Sequence, residues 1–230
     1  MEAKKDLLEK GAIVQRDKET YAVTPHIPGG IITDSGVLRK LADVFDKYGA
    51  QAMKVTSSQR IALVGIKEED LDAVWADLGM EKGNALGNCV RSVRVCPAMD
   101  FCKRAQQDAA PLGLEIDKRY HGMELPSKFK IAVSGCPNSC SENAVRDLGV
   151  MGTRKGYTIT IGGNAGVAPR LADKLAEGLA REEVLPLIDK IVRYYKENAR
   201  KYERFGKMID RLGIEKVKAD LLGEAAEQAC

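Results

Sequence analysis

Four of the six cysteines fall into two close pairs, Cys96-x5-Cys102 and Cys136-x3-Cys140, while Cys89 and Cys230 stand apart. A cubane iron–sulfur cluster needs four thiolates converging on one place, commonly some close in sequence and the rest from a distant loop, and these two pairs supply them. Pro97 and Pro137 each follow a cysteine directly, which fixes the local backbone and removes an amide. Gly135 permits the backbone to approach a bulky inorganic ion closely. Other thiol chemistries fit less well. A structural zinc site pairs its cysteines at C-x2-4-C spacing, which the second pair satisfies and the first does not. A thioredoxin-like centre needs C-x-x-C, which is absent. Thiols acting only as small hydrophobes would not gather in this pattern. Cys89 and Cys230 read as ordinary thiols.

The elements that must position these cysteines can be read from hydrophobic periodicity. Residues 20–24 predict a strand ended by Pro25 and Pro28. Val37, Leu38, Leu41, Phe45 and Tyr48 recur at helical spacing, with Asp34 or Ser35 as N-cap and Gly49 as the stop. Strands follow at 51–56 and 60–66. A short helix runs over 68–78, with Leu71, Val74 and Leu78 inward, and a last strand spans 90–95. That order, β-α-β-β-α-β, is ferredoxin-like. Beyond Cys96, a helix is expected over 98–109, ended by Pro111. Residues 128–134 alternate, placing Phe129, Ile131 and Val133 on one strand face and Lys128 and Lys130 on the other. DLGVMGT and YTITIGG read as further strands. The chain is expected to be helical from 169 onward, with Val184, Leu187, Ile188, Ile191, Val192 and Tyr195 as an inward stripe, then amphipathic stretches at 203–212 and 214–222.

Composition narrows the function classes. The net charge of +3, from 36 basic against 33 acidic residues, is too balanced to argue for nucleic acid, and aromatics at 5% give little for bases to stack on. No run of about 18 apolar residues offers a membrane span. The N-terminal stretch MEAKKDLLEKGAIVQRDKET lacks the apolar segment of a secretory signal, so a cytoplasmic protein is expected, in which thiols stay reduced.

VCPAMDFCKRA together with KFKIAVSGCPNSC resembles the siroheme-dependent nitrite and sulfite reductases. PHIPGG at 25–30 resembles that family's R-x-P-G-G loop, VTSSQR at 55–60 its T-x-N-Q stretch, and GGNAG at 162–166 its G-G-N segment. The resemblance implies an α+β protein, with a ferredoxin-like half-domain over 15–88, a siroheme and 4Fe-4S domain with C-terminal helices over 89–223, and a tail at 224–230. It implies that Cys96, Cys102, Cys136 and Cys140 hold the cluster, Cys140 also reaching the siroheme iron. Gln59, Asn138 and Asn164 would lie against the cofactors. Arg91, Lys128 and Lys130 would bind siroheme carboxylates and the substrate anion, since an otherwise buried pocket for polyanions must supply cations. The implied reaction is reduction of sulfite to sulfide or nitrite to ammonia. No flavin or nicotinamide motif is present, so an external one-electron donor such as a ferredoxin is implied. A cluster-carrying electron-transfer protein without turnover is the alternative.

Two departures from the family stand out. His26 occupies a position where the family often has arginine, and the chain holds one copy of a unit that its usual members hold twice. A single unit leaves one face of the tetrapyrrole open, which a homodimer would cover.

Overall fold

The computed structural model describes residues 4–223, so the tail at 224–230 and Cys230 lie outside the described residues. The chain divides into two compact units, one up to Gly87 and one from Asn88 onward.

The first unit is a four-stranded antiparallel sheet backed by two helices. Its strands are β1 (Ala12–Val14), β2 (Thr20–Val23), β3 (Ala52–Val55) and β4 (Ile61–Lys67), in the order β1-β2-β4-β3. Helix α1 (Ser35–Lys47) starts where Asp34 accepts a hydrogen bond from the Gly36 amide, and α2 (Leu71–Leu78) stops at Gly79 in the left-handed region. Tyr21, Val23, Leu41, Leu63, Ile66, Leu71, Val74 and Leu78 form the core. Leu38, expected inward, is half exposed and lies outside the buried stripe of α1. The expected closing strand at 90–95 does not join this sheet. Ala12–Val14 supplies the fourth strand instead, and only Arg94–Val95 of the 90–95 segment is a strand, in the other unit.

The second unit is a mixed five-stranded sheet, β5 (Arg94–Val95), β6 (Ile131–Ser134), β7 (Leu148–Thr153), β8 (Gly156–Ile161) and β9 (Asp173–Leu179), hydrogen-bonded in that order. β5, β6 and β7 run parallel, and β7, β8 and β9 antiparallel. The Cys96–Phe101 segment carries only a single helical turn, α3 (Ala98–Phe101). The longer helix is α4 (Ala109–Tyr120), so the helix expected over 98–109 is displaced by a whole element. Pro111 sits in the first turn of α4, where a helix tolerates the missing amide, rather than ending a helix. The region after 169 is not helical throughout either, since β9 precedes α5 (Arg181–Asn198), α6 (Phe205–Leu212) and α7 (Ile214–Leu222).

Glu183 starts α5 by accepting from the Ala180 amide at 2.7 Å, and the stripe Val184, Leu187, Ile188, Ile191, Val192 and Tyr195 is buried as expected. Phe129, Tyr195 and Phe205 pack ring to ring, with centroids 5.1–5.7 Å apart, and fasten the segment before β6 to the C-terminal helices. Every residue of β6 is buried on both faces, so it is a central strand. Lys128 and Lys130 precede it and are not on a solvated strand face. Lys128 is exposed and Lys130 half-buried.

Candidate iron–sulfur centre and anion pocket

β5 and β6 are parallel neighbours, so the residues just past their C-terminal ends emerge side by side. Cys96 follows β5, and the Gly135–Cys140 turn follows β6. The Cys96 sulfur accepts a hydrogen bond from the Gly135 amide at 3.1 Å, which joins the two cysteine segments directly. The Gly135 carbonyl accepts from the amides of Gln106 and Gln107 at 2.7 and 3.0 Å, so the chain beyond Cys102 is folded back onto the same turn. A Cβ at Gly135 would lie 2.8 Å from the Gln107 carbonyl oxygen, a distance that only glycine avoids. Cys96 and Cys136 are buried, Cys102 is partly exposed and Cys140 is exposed.

Both segments hold non-glycine residues in the left-handed region, Ala98 at φ 49°, Ser139 at φ 50° and Glu142 at φ 60°. Such conformations cost of order 1–3 kcal/mol each and persist where their surroundings over-determine them. The surroundings here are a bracket of polar side chains. The Asn143 side-chain oxygen accepts from the Ser134 and Ser139 hydroxyls at 2.6 and 2.9 Å. Its amide nitrogen donates to the carbonyls of Ala132 and Val150 at 2.9 and 2.8 Å. Ser141 donates to the Val133 carbonyl at 3.0 Å. The 136–140 turn is thereby tied at both ends to β6 and β7. Asn143 and Ser141 were not among the residues singled out from sequence, and the polar run SCSEN was the signal for them.

The donor set suits a 4Fe-4S cluster. Its four thiolates come from two segments that the Cys96 sulfur and the Gly135 amide join, as a cubane centre requires. A tetrathiolate cluster is also anionic, and arginines flank the cysteines in the chain. Arg94 and Arg146, near Cys96 and Cys140 in the chain, share the one carboxylate of Glu142, and each keeps a buried Nε–H without a hydrogen-bond partner.

The second constellation surrounds Lys130. Burial, then the neighbouring charges of Arg204 and Lys128, lowers the pKa of its ammonium, and Arg91 adds to the same field. Arg91 is itself lowered by burial, with Arg204 a further cause. The structure thus brings the expected Arg91, Lys128 and Lys130 together and adds Arg204, which sequence reading missed. Arg204 is held by a bidentate pair with Asp147, both contacts to Oδ1 and Oδ2 within 3.1 Å, and Asp147 also accepts from the Lys130 amide at 2.8 Å. Burial pushes the Asp147 carboxyl up in pKa while Arg204 pulls it back. Against four cations, one buried carboxylate leaves this group of side chains net positive, which fits a polycarboxylate tetrapyrrole and an anionic substrate. Arg204→Ala would strand that carboxylate. We expect a loss of about 3–5 kcal/mol in urea unfolding, and a loss under about 1 kcal/mol would show that the pair does not brace the pocket.

The remaining candidates are placed as follows. Gln59, in the first unit, has φ 57°, and a Cβ on Gly30 would fall 2.5 Å from its own Cβ, so the PHIPGG and VTSSQR segments meet there. Asn138 is exposed next to Cys136. Asn164 spends its side chain on its own loop, donating to the Ala168 carbonyl at 2.9 Å and accepting from the Gly166 amide at 3.2 Å. His26 is buried, with its amide donating to the Glu81 carbonyl, and Cys89 is buried apart from the paired cysteines in sequence.

Residues 86–229 match the nitrite and sulphite reductase 4Fe-4S domain, and residues 13–81 match the nitrite/sulfite reductase ferredoxin-like half domain. The chain belongs to the nitrite and sulphite reductase family. The reductase is 42% identical over 214 residues to the assimilatory-type sulfite reductase of Nitratidesulfovibrio vulgaris, covering 93% of this chain and 98% of that one. It is 41% identical over 210 residues to the NAD(P)H nitrite reductase of Bacillus subtilis, covering 91% of this chain but only 26% of that longer protein. Its fold is that of dissimilatory sulfite reductase I, with a TM-score of 0.81 at 18% identity over 92% of this chain and 71% of that one. It is an oxidoreductase with an α+β fold whose cofactors are a 4Fe-4S cluster and siroheme. Among the described residues no helix is long and apolar enough to cross a membrane.

Proposed function

We propose that this reductase converts sulfite to sulfide, taking up six electrons and eight protons per sulfite and releasing three waters. The observation that carries the choice of sulfite is coextension. The sulfite reductase relative is matched along 98% of its length, whereas the nitrite reductase relative has most of its length beyond the match.

When bound, siroheme supplies the iron at which the anion is reduced, and the cluster supplies its electrons. Cys96, Cys102, Cys136 and Cys140 would hold the cluster, and Cys140, the exposed one of the four, would be the one to reach the siroheme iron. Arg91, Lys128 and Lys130 neutralise carboxylates of the cofactor and the charge of the substrate, and Arg204 shares that work. Lys130 Nζ, half-buried and lowered in pKa first by its burial, would give up a proton more readily than an ordinary lysine. Gln59 would contact siroheme, Asn138 would lie beside the cluster, and Asn164 would act by shaping its loop. The half-domain would span 15–88 and the siroheme and 4Fe-4S domain 89–223, a homodimer would cover the open tetrapyrrole face, and an external one-electron donor such as a ferredoxin would supply the cytoplasmic enzyme.

Turnover of cofactor-loaded protein with reduced methyl viologen tests the substrate. We expect sulfide as the product from sulfite and a kcat/KM for sulfite above that for nitrite. A higher value for nitrite, with ammonia as product, would overturn the assignment.

A further inference from the structure

Arg94, Glu142 and Arg146 form a charged group that none of the roles above uses. Both arginines donate to the same carboxylate oxygen, Arg94 Nη1 to Glu142 Oε2 at 2.6 Å and Arg146 Nη2 to that oxygen as well. Among the described residues Glu142 is the only carboxylate paired with either. Two positive charges against one negative leave a surplus of one. The two arginine side chains are 12% and 7% exposed, so salt and water screen that surplus weakly. The Nε–H of each is buried and makes no hydrogen bond. A buried cation with a spare donor is costly unless an anion accompanies it.

The backbone sets this group between the two halves of the ligand set. Arg94 lies two residues before Cys96, and Glu142 lies two residues after Cys140. Two peptide steps span at most about 7 Å, so each end of the Arg94–Glu142 pair begins that close to a different cysteine. The frame beneath is fixed. Arg94 is opposite Ala132 in the ladder of β5 and β6, and the Ala132 carbonyl accepts from the Asn143 side chain at 2.9 Å. The Arg146 amide donates to the Asn143 carbonyl at 3.2 Å. A Cβ on Gly163 would fall 2.6 Å from the Arg146 amide nitrogen, so a second segment is pressed against that backbone. A cluster held by four thiolates is anionic and becomes more so when it gains an electron. A surplus of positive charge nearby therefore favours its reduced form.

We propose that Arg94, Glu142 and Arg146 set the reduction potential of the cluster, the two arginines raising it and Glu142 holding it down. The proposal rests on the assignment of Cys96 and Cys140 as cluster ligands. In the step concerned one electron passes from the external donor to the cluster, the donor is oxidised, and no bond forms or breaks. Because one carboxylate serves both arginines, removing it uncovers two positive charges. Removing one arginine leaves a neutral pair instead. The sign of the shift therefore depends on which member is changed.

The test is a redox titration of cofactor-loaded protein with dithionite and mediator dyes, the reduced cluster being followed by electron paramagnetic resonance. Glu142→Gln should raise the midpoint potential, and Arg94→Gln and Arg146→Gln should each lower it. Each change should move the balance of oxidised and reduced cluster by about ten-fold, which is about 59 mV for one electron. Arg94→Lys keeps the charge while losing the planar fork, and should stay near the wild-type potential. Glu142 is half exposed and glutamine has its shape, so Glu142→Gln decides the matter even where an arginine variant fails to fold. A Glu142→Gln protein that keeps the wild-type potential or loses its iron would overturn the proposal, as would shifts of one common sign in all three glutamine variants. Wild-type protein holding far fewer than about four irons per chain would instead overturn the ligand assignment, so the two failures are distinct.

Discussion

Cys96→Ser, Cys102→Ser, Cys136→Ser and Cys140→Ser should each reduce bound iron from about four atoms per chain towards zero, measured with acid-labile sulfide on the purified protein. The effect should extend to the fold for the two buried positions. Metal binding is coupled to folding, and without the cluster the left-handed residues Ala98 and Ser139 keep their strain while losing what they surround. Cys96→Ser should be the most damaging, because its sulfur also accepts the Gly135 amide that joins the two segments. Cys89→Ser should leave iron unchanged, and so should Cys230→Ser. Loss of iron in Cys89→Ser with retention in Cys96→Ser would mean that the ligand set is misassigned.

Lys130→Ala and Arg91→Ala should each lower kcat/KM by about 10²–10³, in protein that keeps its siroheme. A single donor acting on charge developed during reaction is worth roughly 2–4 kcal/mol. The two roles of these cations separate by optical spectroscopy. If the siroheme bands are lost, the residue serves the cofactor carboxylates; if the bands stay and turnover falls, it serves the substrate. Lys130 also predicts a pH signature. Its ammonium is the active form and its pKa is lowered by burial, so activity should fall on the alkaline side, below the ordinary lysine range, and Lys130→Arg should move that fall upward. Normal activity and full siroheme content in Arg91→Ala, Lys128→Ala and Lys130→Ala alike would remove the pocket assignment.

The parts of this chain that were legible in its sequence are those where one local signal acts alone. α1 has an Asp cap and a glycine stop, α5 has a continuous buried stripe, and β3 and β4 flank a short turn. The cysteine pairs stood out in the sequence by their spacing, and the structure joins their segments through the Gly135 amide on the Cys96 sulfur. What escaped was decided by tertiary partners. β9 is written DKLAEGL, a composition that suits a helix, and becomes a strand because β8 offers it an edge. Pro111 looks like a terminator until Asp108 and Ala109 place it in a first turn. Arg204 lies far from Lys130 in sequence and meets it only because Asp147 is buried between them. Asn143 was marked only by the polar run SCSEN, and its side chain matters because it reaches two different strands.

That last contact bears on how fast the cluster can exchange electrons. Each electron gained or lost changes the charge on the cluster, and any dipole that swings in response adds to the reorganisation energy of the transfer. Asn143 has both ends of its amide committed, the nitrogen to two strand carbonyls and the oxygen to two serine hydroxyls. The serines so held fix the turn that carries Cys136 and Cys140 to the centre of a sheet. Its dipoles cannot follow the charge without parting β6 from β7. The sheet behind the turn would thus hold down the protein's own share of the reorganisation energy, and Asn143→Ala should slow electron exchange even in protein that still binds its iron.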